Sequence, residues 1–365
     1  MINSYFILFS LLSTLSILQF DKEVKKYKLL FFLFSAIVLI VFAGLRQLGV
    51  GKDDYSYYQM FIYDAPNIYD WLFGNYSYDI HELYMEPGYV FINSFVKIFT
   101  SKYEVFFLSI AFISVGIASY NYYKYSQYVF LTLLLFFVHT YLYRDMNQIR
   151  AGISASIGLL LIAQIYNKEH LKIIFTIFVA SLFHLASLSF IIAYVLGFIT
   201  WTKKKIVFLY LISLTIGSIG LSKMIVLMLP NVNFLTMKII NYANSQKYSE
   251  AISLFDITNI KNSIILFFVV LFWNKLKSKV PYFNTIILFF ILSTCWRIAF
   301  SDLGILASRV STYFGIVEVI LLPYFIYVFR QKVFIAFLII LYAMAVLYLN
   351  ITVKEIITNY HISIF

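Results

Sequence analysis

Six arginines stand among 28 basic residues, and their placement is where this sequence offers chemistry. Arg46, Arg144, Arg150, Arg297 and Arg309 fall at one set of ends of long apolar runs, while short lysine clusters mark the opposite ends. A guanidinium is always charged and presents a rigid donor fork that fits phosphate. Several of them on one side of a membrane would suit a diphosphate leaving group, whose charge develops in the transition state. The densest polar cluster is Tyr143-Arg144-Asp145-Met146-Asn147-Gln148-Ile149-Arg150, at the start of an apolar run. Arg150 lies about one turn into that run, where a cation costs roughly 2.5–3.5 kcal/mol near mid-membrane and less towards the interface. Two readings stay open for it: snorkelling or a pair with Asp145, and an anion site in a water-filled cavity.

The proton-transfer candidate is His184, in Ser181-Leu182-Phe183-His184-Leu185-Ala186-Ser187, within an otherwise apolar stretch. A neutral imidazole accepts a proton near neutral pH, so it can serve as a general base. The alternative is a structural histidine bonded to a neighbouring carbonyl. His139 reads as structural, and His81 and His361 as loop or tail residues. Arg309 opens a run as Ser308-Arg309-Val310-Ser311-Thr312-Tyr313, and Arg297 with Asp302 reads as a structural pair. The stretch Gly49-Val50-Gly51-Lys52-Asp53 has the glycines and lysine of a phosphate loop. Asp53, however, stands where the Walker pattern needs a hydroxyl residue, so nucleotide binding is excluded. Tyr55, Tyr57, Tyr58, Tyr63, Tyr69, Tyr76, Tyr78 and Tyr84 crowd the loop that follows, beside many carboxylates. They form either an interfacial belt or a platform for the apolar faces of sugars.

These residues must be positioned by membrane helices. The chain is 62% hydrophobic and 12% charged, with a mean hydropathy of +0.86, which is the composition of an all-α integral membrane protein. The net charge of +11 comes mostly from the lysine clusters and points to no nucleic-acid partner. Cys295 is the only cysteine, which excludes an internal disulfide and a thiolate metal site. No metal and no cofactor is expected. Residues 1–20 lack a basic n-region and read as a retained first helix. Lys22, Lys25, Lys26 and Lys28 put the first break inside, and the acidic stretch that follows Arg46 outside. The lysines at 203–205 and 275–279, and Arg330 with Lys332, fit the same frame.

The apolar runs predict helices over 4–20, 28–45, 104–121, 127–142, 146–166, 171–183, 185–200, 206–228, 258–273, 281–300, 309–329 and 333–350. That is about twelve spans, within a range of 10–13. Residues 88–99 are too short to cross and read as re-entrant or interfacial. The chain is expected to be one polytopic domain over 1–365, with outer loops at 46–87 and 229–257. Arg144, Arg150, His184 and Arg309 then share the outer side.

Taken together, the motifs resemble the EpsG-like branch of the Wzy-type O-antigen, capsule and exopolysaccharide polymerases. The resemblance rests on Gly44-Leu45-Arg46, Gly51-Lys52-Asp53 with Tyr57 or Tyr58, Glu86-Pro87-Gly88-Tyr89, Arg144-Asp145 through Asn147 to Arg150, Phe183-His184-Leu185-Ala186-Ser187, and Arg309 with Tyr313. These occur in the family's order over most of the chain, with Ala151 where a glutamine is expected. The resemblance implies an inverting, metal-independent glycosyl transfer at the bacterial cytoplasmic (inner) membrane, on its periplasmic or outer side. A growing glycan would move from undecaprenyl diphosphate to the non-reducing end of a lipid-linked repeat unit. In that scheme Arg46, Arg150 and Arg309 hold the diphosphate and Arg144 supports them. His184 is the base. Asp53 and Glu86 orient the acceptor or replace the histidine, and Tyr57, Tyr58 and Tyr313 face sugar. The bilayer, the undecaprenyl-diphosphate-linked oligosaccharide, a flippase and a chain-length regulator are the implied partners. Two rival classes stay open: a flippase for the same lipid-linked units, and a ligase that uses another acceptor. No internal repeat of the kind transporters show is visible.

Overall fold

In a bilayer the backbone finds no water, so long runs of Leu, Ile, Phe and Val must close their hydrogen bonds within each segment, as helices. A computed structural model describes residues 4–75, 85–228, 236–237, 240 and 250–363. The described residues are helical with short connections, and the only β features among them are two isolated bridges, Arg46 to Ile362 and Gly51 to Ile357. Apolar helices appear in all twelve places the sequence predicts, and their lengths alone support fewer than twelve spans. Among the described residues, three are long and apolar enough to cross a membrane, or five if two bent pairs each count as one span, and seven more are 10–17 residues long. At 1.5 Å per residue, a helix of 15–17 residues reaches about 22–26 Å, short of the roughly 30 Å hydrocarbon core.

The chain divides into two compact units. The first comprises Met1–Leu161, Ile174–Leu185 and Val319–Phe365. Its helices are α1 (Ser4–Leu18), α2 (Lys28–Gly44), α3 (Asp54–Gln59), α4 (Pro87–Lys97), α5 (Tyr103–Tyr125), α6 (Val129–Arg144) and α7 (Ile149–Tyr166, whose last turns pass to the second unit). Most of α8 (His170–Ser181) also belongs here, as does the long C-terminal helix Lys332–Val353. The α2 helix packs along α5, and α5 along α7. Where α2 meets α5, a Cβ at Gly44 would lie 2.6 Å from the Leu108 Cα, so glycine permits the close approach that delivers Arg46.

Short irregular elements set the details. The helix α4 has Glu86 at its N-cap position and Pro87 as its first residue, which removes one donor that would be orphaned there. The Gly88 N–H donates to the Leu182 carbonyl at 2.8 Å, where any side chain at Gly88 would collide. This docks α4 on the break between α8 and the Leu185–Ser189 3₁₀ turn. At 11 residues, α4 is too short to cross a bilayer, as read from the sequence. Beneath it lies an apolar core that includes Tyr57, Phe61, Tyr89, Phe106, Ile149 and Ile153.

The second unit comprises Ile162–Ile173 and Ala186–Glu318. Here α9 (Lys203–Ile219) starts with the Thr202 side chain accepting the Lys205 N–H and ends at Gly220, whose φ of +68° suits glycine. The chain then bends by 75° into Leu221–Leu227. Asp256 caps α10 (Ile257–Leu271), which packs on α11 (Phe283–Ala299), and α11 packs along α12 (Gly304–Gly315).

The Gly51 position offers a test of these packing constraints. A Cβ there would sit 2.0 Å from the Met146 carbonyl oxygen and 2.8 Å from Asp54 Oδ1. Gly51→Ala is expected to destabilise the protein by about 3 kcal/mol, at the upper end of overpacking effects, because a backbone atom cannot step aside. A lowered melting temperature of the purified variant in detergent would check it.

Candidate functional site

The arginine that opens α7 meets a carboxylate far away in sequence. Arg150 Nη1 donates to Glu86 Oε2, and the other oxygen, Glu86 Oε1, accepts the Leu185 N–H at 3.1 Å. Glu86 is buried at the N-cap of α4, and its carboxylate makes no capping bond to its own helix. One carboxylate therefore ties the start of α7 to the residue immediately after His184. Arg150 also interacts with Tyr57 and lies over the Tyr89 ring, 5.8 Å from its centroid. Its side chain remains 21% exposed. His184 is half-buried in the break after α8, where its N–H donates to the Ala180 carbonyl. Thus Glu86, Arg150, Tyr57 and the His184 turn come together in one unit, and the Asp145 pairing considered for Arg150 is replaced by Glu86. Asp145 instead accepts from the Ser114 hydroxyl.

Two other arginines of this unit are enclosed. Arg46 is 1% exposed and Arg144 2%. The Arg46 guanidinium binds Asp54 through Nε and Nη2 (2.8 Å for the latter), donates to the Ala43 carbonyl, and lies 4.2 Å from the Phe107 ring centroid. Asp54 in turn accepts the Gly51 N–H at 2.7 Å. Where the sequence suggested a diphosphate donor, Arg46 is a strut for the glycine loop. Arg144 donates to the Ala151 carbonyl, closing the turn that leads into α7. Asp53 is exposed, Tyr57 is buried, and Tyr58 is partly exposed with its ring edge-on to Tyr63 and Tyr103. His139 bonds the Tyr342 hydroxyl, which fits its structural reading, and His361 is exposed. His81, Tyr76, Tyr78 and Tyr84 lie outside the described residues, as does most of the 229–257 loop.

In the second unit Arg309 is exposed on α12, while Tyr313 is 1% exposed and packs edge-on against Phe190. The Arg297–Asp302 pair expected from sequence does not form. Arg297 binds Asp256 at 2.9 Å and Ser308 at 3.2 Å, whereas Asp302 accepts the Lys223 N–H. Burial works against charge on Asp256, but the bonds from Arg297 and Thr258 outweigh it and hold the carboxyl below its ordinary range. A further pair, Lys261 with Glu318 at 2.6 Å, escaped the sequence reading. Its signal was present: single charges of opposite sign inside two apolar runs.

The comparisons with known proteins agree with these motifs. The EpsG family model matches residues 29–362, which is most of the chain. The chain belongs to the EpsG family. The amylovoran biosynthesis protein AmsC of Erwinia amylovora is 28% identical over 319 residues, covering 86% of this chain and 84% of AmsC. No solved structure matches.

The Glu86 hub gives a graded prediction. Glu86→Ala abandons both the Leu185 N–H and the Arg150 guanidinium and is expected to cost about 3 kcal/mol or more of stability. Glu86→Gln keeps an acceptor for Leu185 and should cost less. Thermal unfolding of both variants in detergent reads the difference.

Proposed function

We propose that this EpsG-family chain is a polysaccharide repeat-unit polymerase of the bacterial cytoplasmic membrane. It moves a growing glycan from undecaprenyl diphosphate to the non-reducing end of a lipid-linked repeat unit on the outer face. The observation that carries this reading is the partly exposed Arg150, held by Glu86 in one framework with the His184 turn. Family membership supports it, and so does AmsC, whose name ties that relative to amylovoran biosynthesis.

The chemistry follows from those groups. An acceptor hydroxyl oxygen attacks the anomeric carbon of the donor, and the bond from that carbon to the diphosphate oxygen breaks with inversion. The electron pair leaves with the diphosphate, where Arg150, in the turn that Arg144 closes, stabilises the developing charge without a metal. His184 takes the hydroxyl proton. Asp53 and Tyr58 serve the sugar side, whereas Tyr57 and Tyr313 are enclosed and act as packing. Glu86 orients Arg150 and the His184 turn, and Arg46 acts through Asp54 on the loop that bears Asp53. All twelve apolar helical segments cross the bilayer, the short ones by locally thinning it, at a modest cost per ångström of mismatch. A flippase supplies the repeat units, and a chain-length regulator acts on the product.

Glycan length in a deletion strain tests the proposal. Wild type should restore a ladder on a gel, and well-expressed Arg150→Ala or His184→Ala should leave single repeat units. Losing one transition-state charge contact is expected to slow the reaction by about 10²–10³-fold. A full ladder in the deletion strain, with unattached or cytoplasmic lipid-linked units accumulating, would replace the polymerase by a ligase or a flippase.

A further inference from the structure

Asn147 joins three stretches that are far apart in the chain. Its Oδ1 accepts the Lys52 N–H at 2.6 Å, and its Nδ2 donates to the carbonyls of Leu142 and Ile356, each at 2.9 Å. Both amide hydrogens are thereby used, and the side chain is buried. The partners belong to the glycine loop, the last turns of α6 and the C-terminal segment. Beside this knot Gly51 passes so close to the Met146 carbonyl that no side chain fits. The loop secured in this way presents exposed Lys52 and Asp53, and the turn secured with it runs on to Arg150 three residues later.

The third anchor is itself well held. Thr358 N–H donates to the Val50 carbonyl at 3.0 Å, Gln47 N–H to His361 at 2.9 Å, and Ser363 N–H to Leu45 at 2.8 Å. The Tyr360 ring stacks on Phe42 with centroids 3.9 Å apart. The C-terminal segment thus lies along the loop from Leu45 to Val50, and Asn147 pins it to the arginine-bearing turn.

We propose that Asn147 is a positioning residue of the site: it sets the Lys52–Asp53 edge and the Arg150 turn in one frame, with the segment around Ile356 as the third anchor. Its part in catalysis rests on the polymerase reading, while its part in ordering the loop does not. Only an amide of this length satisfies one donor and two acceptors at once. Aspartate has the same shape and keeps the bond from Lys52, but it presents an oxygen to the Leu142 and Ile356 carbonyls and loses both donated bonds. Alanine loses all three.

The experiment uses the full-length protein in detergent, as wild type, Asn147→Asp and Asn147→Ala. One measurement is the extension of lipid-linked repeat units purified from a strain lacking this chain. The other is the rate of trypsin cleavage after exposed Lys52. Displacing reacting groups by about 1 Å can cost some 10²-fold, so kcat for Asn147→Asp should fall at least about tenfold. KM should stay within about threefold, because the binding groups themselves are intact. Cleavage after Lys52 should quicken by about tenfold as the loop opens locally, and more in Asn147→Ala. The proposal is overturned by wild-type kcat and wild-type cleavage in the folded variants. A rate loss that merely equals the fraction of protein unfolded would also overturn it. Should wild type extend nothing, the polymerase reading falls, and cleavage at Lys52 still decides whether Asn147 orders the loop.

Discussion

A single carboxylate with two obligations organises the first unit. Glu86 cannot satisfy both the Arg150 guanidinium and the Leu185 N–H unless the chain enters α4 from one direction. Pro87 and Gly88 meet that demand by opposite means, one with a fixed φ and one with the absence of a side chain. The aromatic core of Tyr57, Tyr89 and Phe106 holds the start of α4 in place.

Charge inside an apolar protein is dangerous unless every ion is answered, and this chain answers its ions to different degrees. Arg46 and Asp54 neutralise each other completely, with the Gly51 N–H taking up a remaining lone pair. Such a pair contributes geometry more than net stability, since desolvation offsets most of the attraction. Arg150 has a partner of the same kind yet remains partly open. The two arginines therefore differ in enclosure, which residue type alone does not reveal.

That distinction separates what could be read in the sequence from what could not. The apolar runs fixed the places of the helices, because in hydrocarbon a long apolar run has few alternatives to a helix. They did not fix how many of the segments reach across, since π turns such as Phe137–Tyr141, bends and breaks alter the rise per residue. The site motifs were visible as polar islands, and Glu86, Arg150 and the His184 turn do come together. Their pairing was hidden, because Glu86 and Leu185 lie 99 residues apart and neither spacing nor periodicity links them. Arg297 shows the same limit: Asp302 was nearer in sequence, but the helical turn before it directs the guanidinium to Asp256. Lys261 and Glu318 were overlooked for the opposite reason, each being a lone charge with no motif around it.

The bridge between Thr358 and Val50 spans 308 residues and has a consequence for how the protein is made. The glycine loop leaves the ribosome early, while the segment that lines it emerges late. At about 5–20 residues per second, the loop waits some 15–60 s for its partner. During that interval its backbone groups from Leu45 to Val50 must rely on water or on assembly factors. A nascent chain arrested before residue 356 would therefore lack both the backbone partners of that loop and the carbonyl that Asn147 holds.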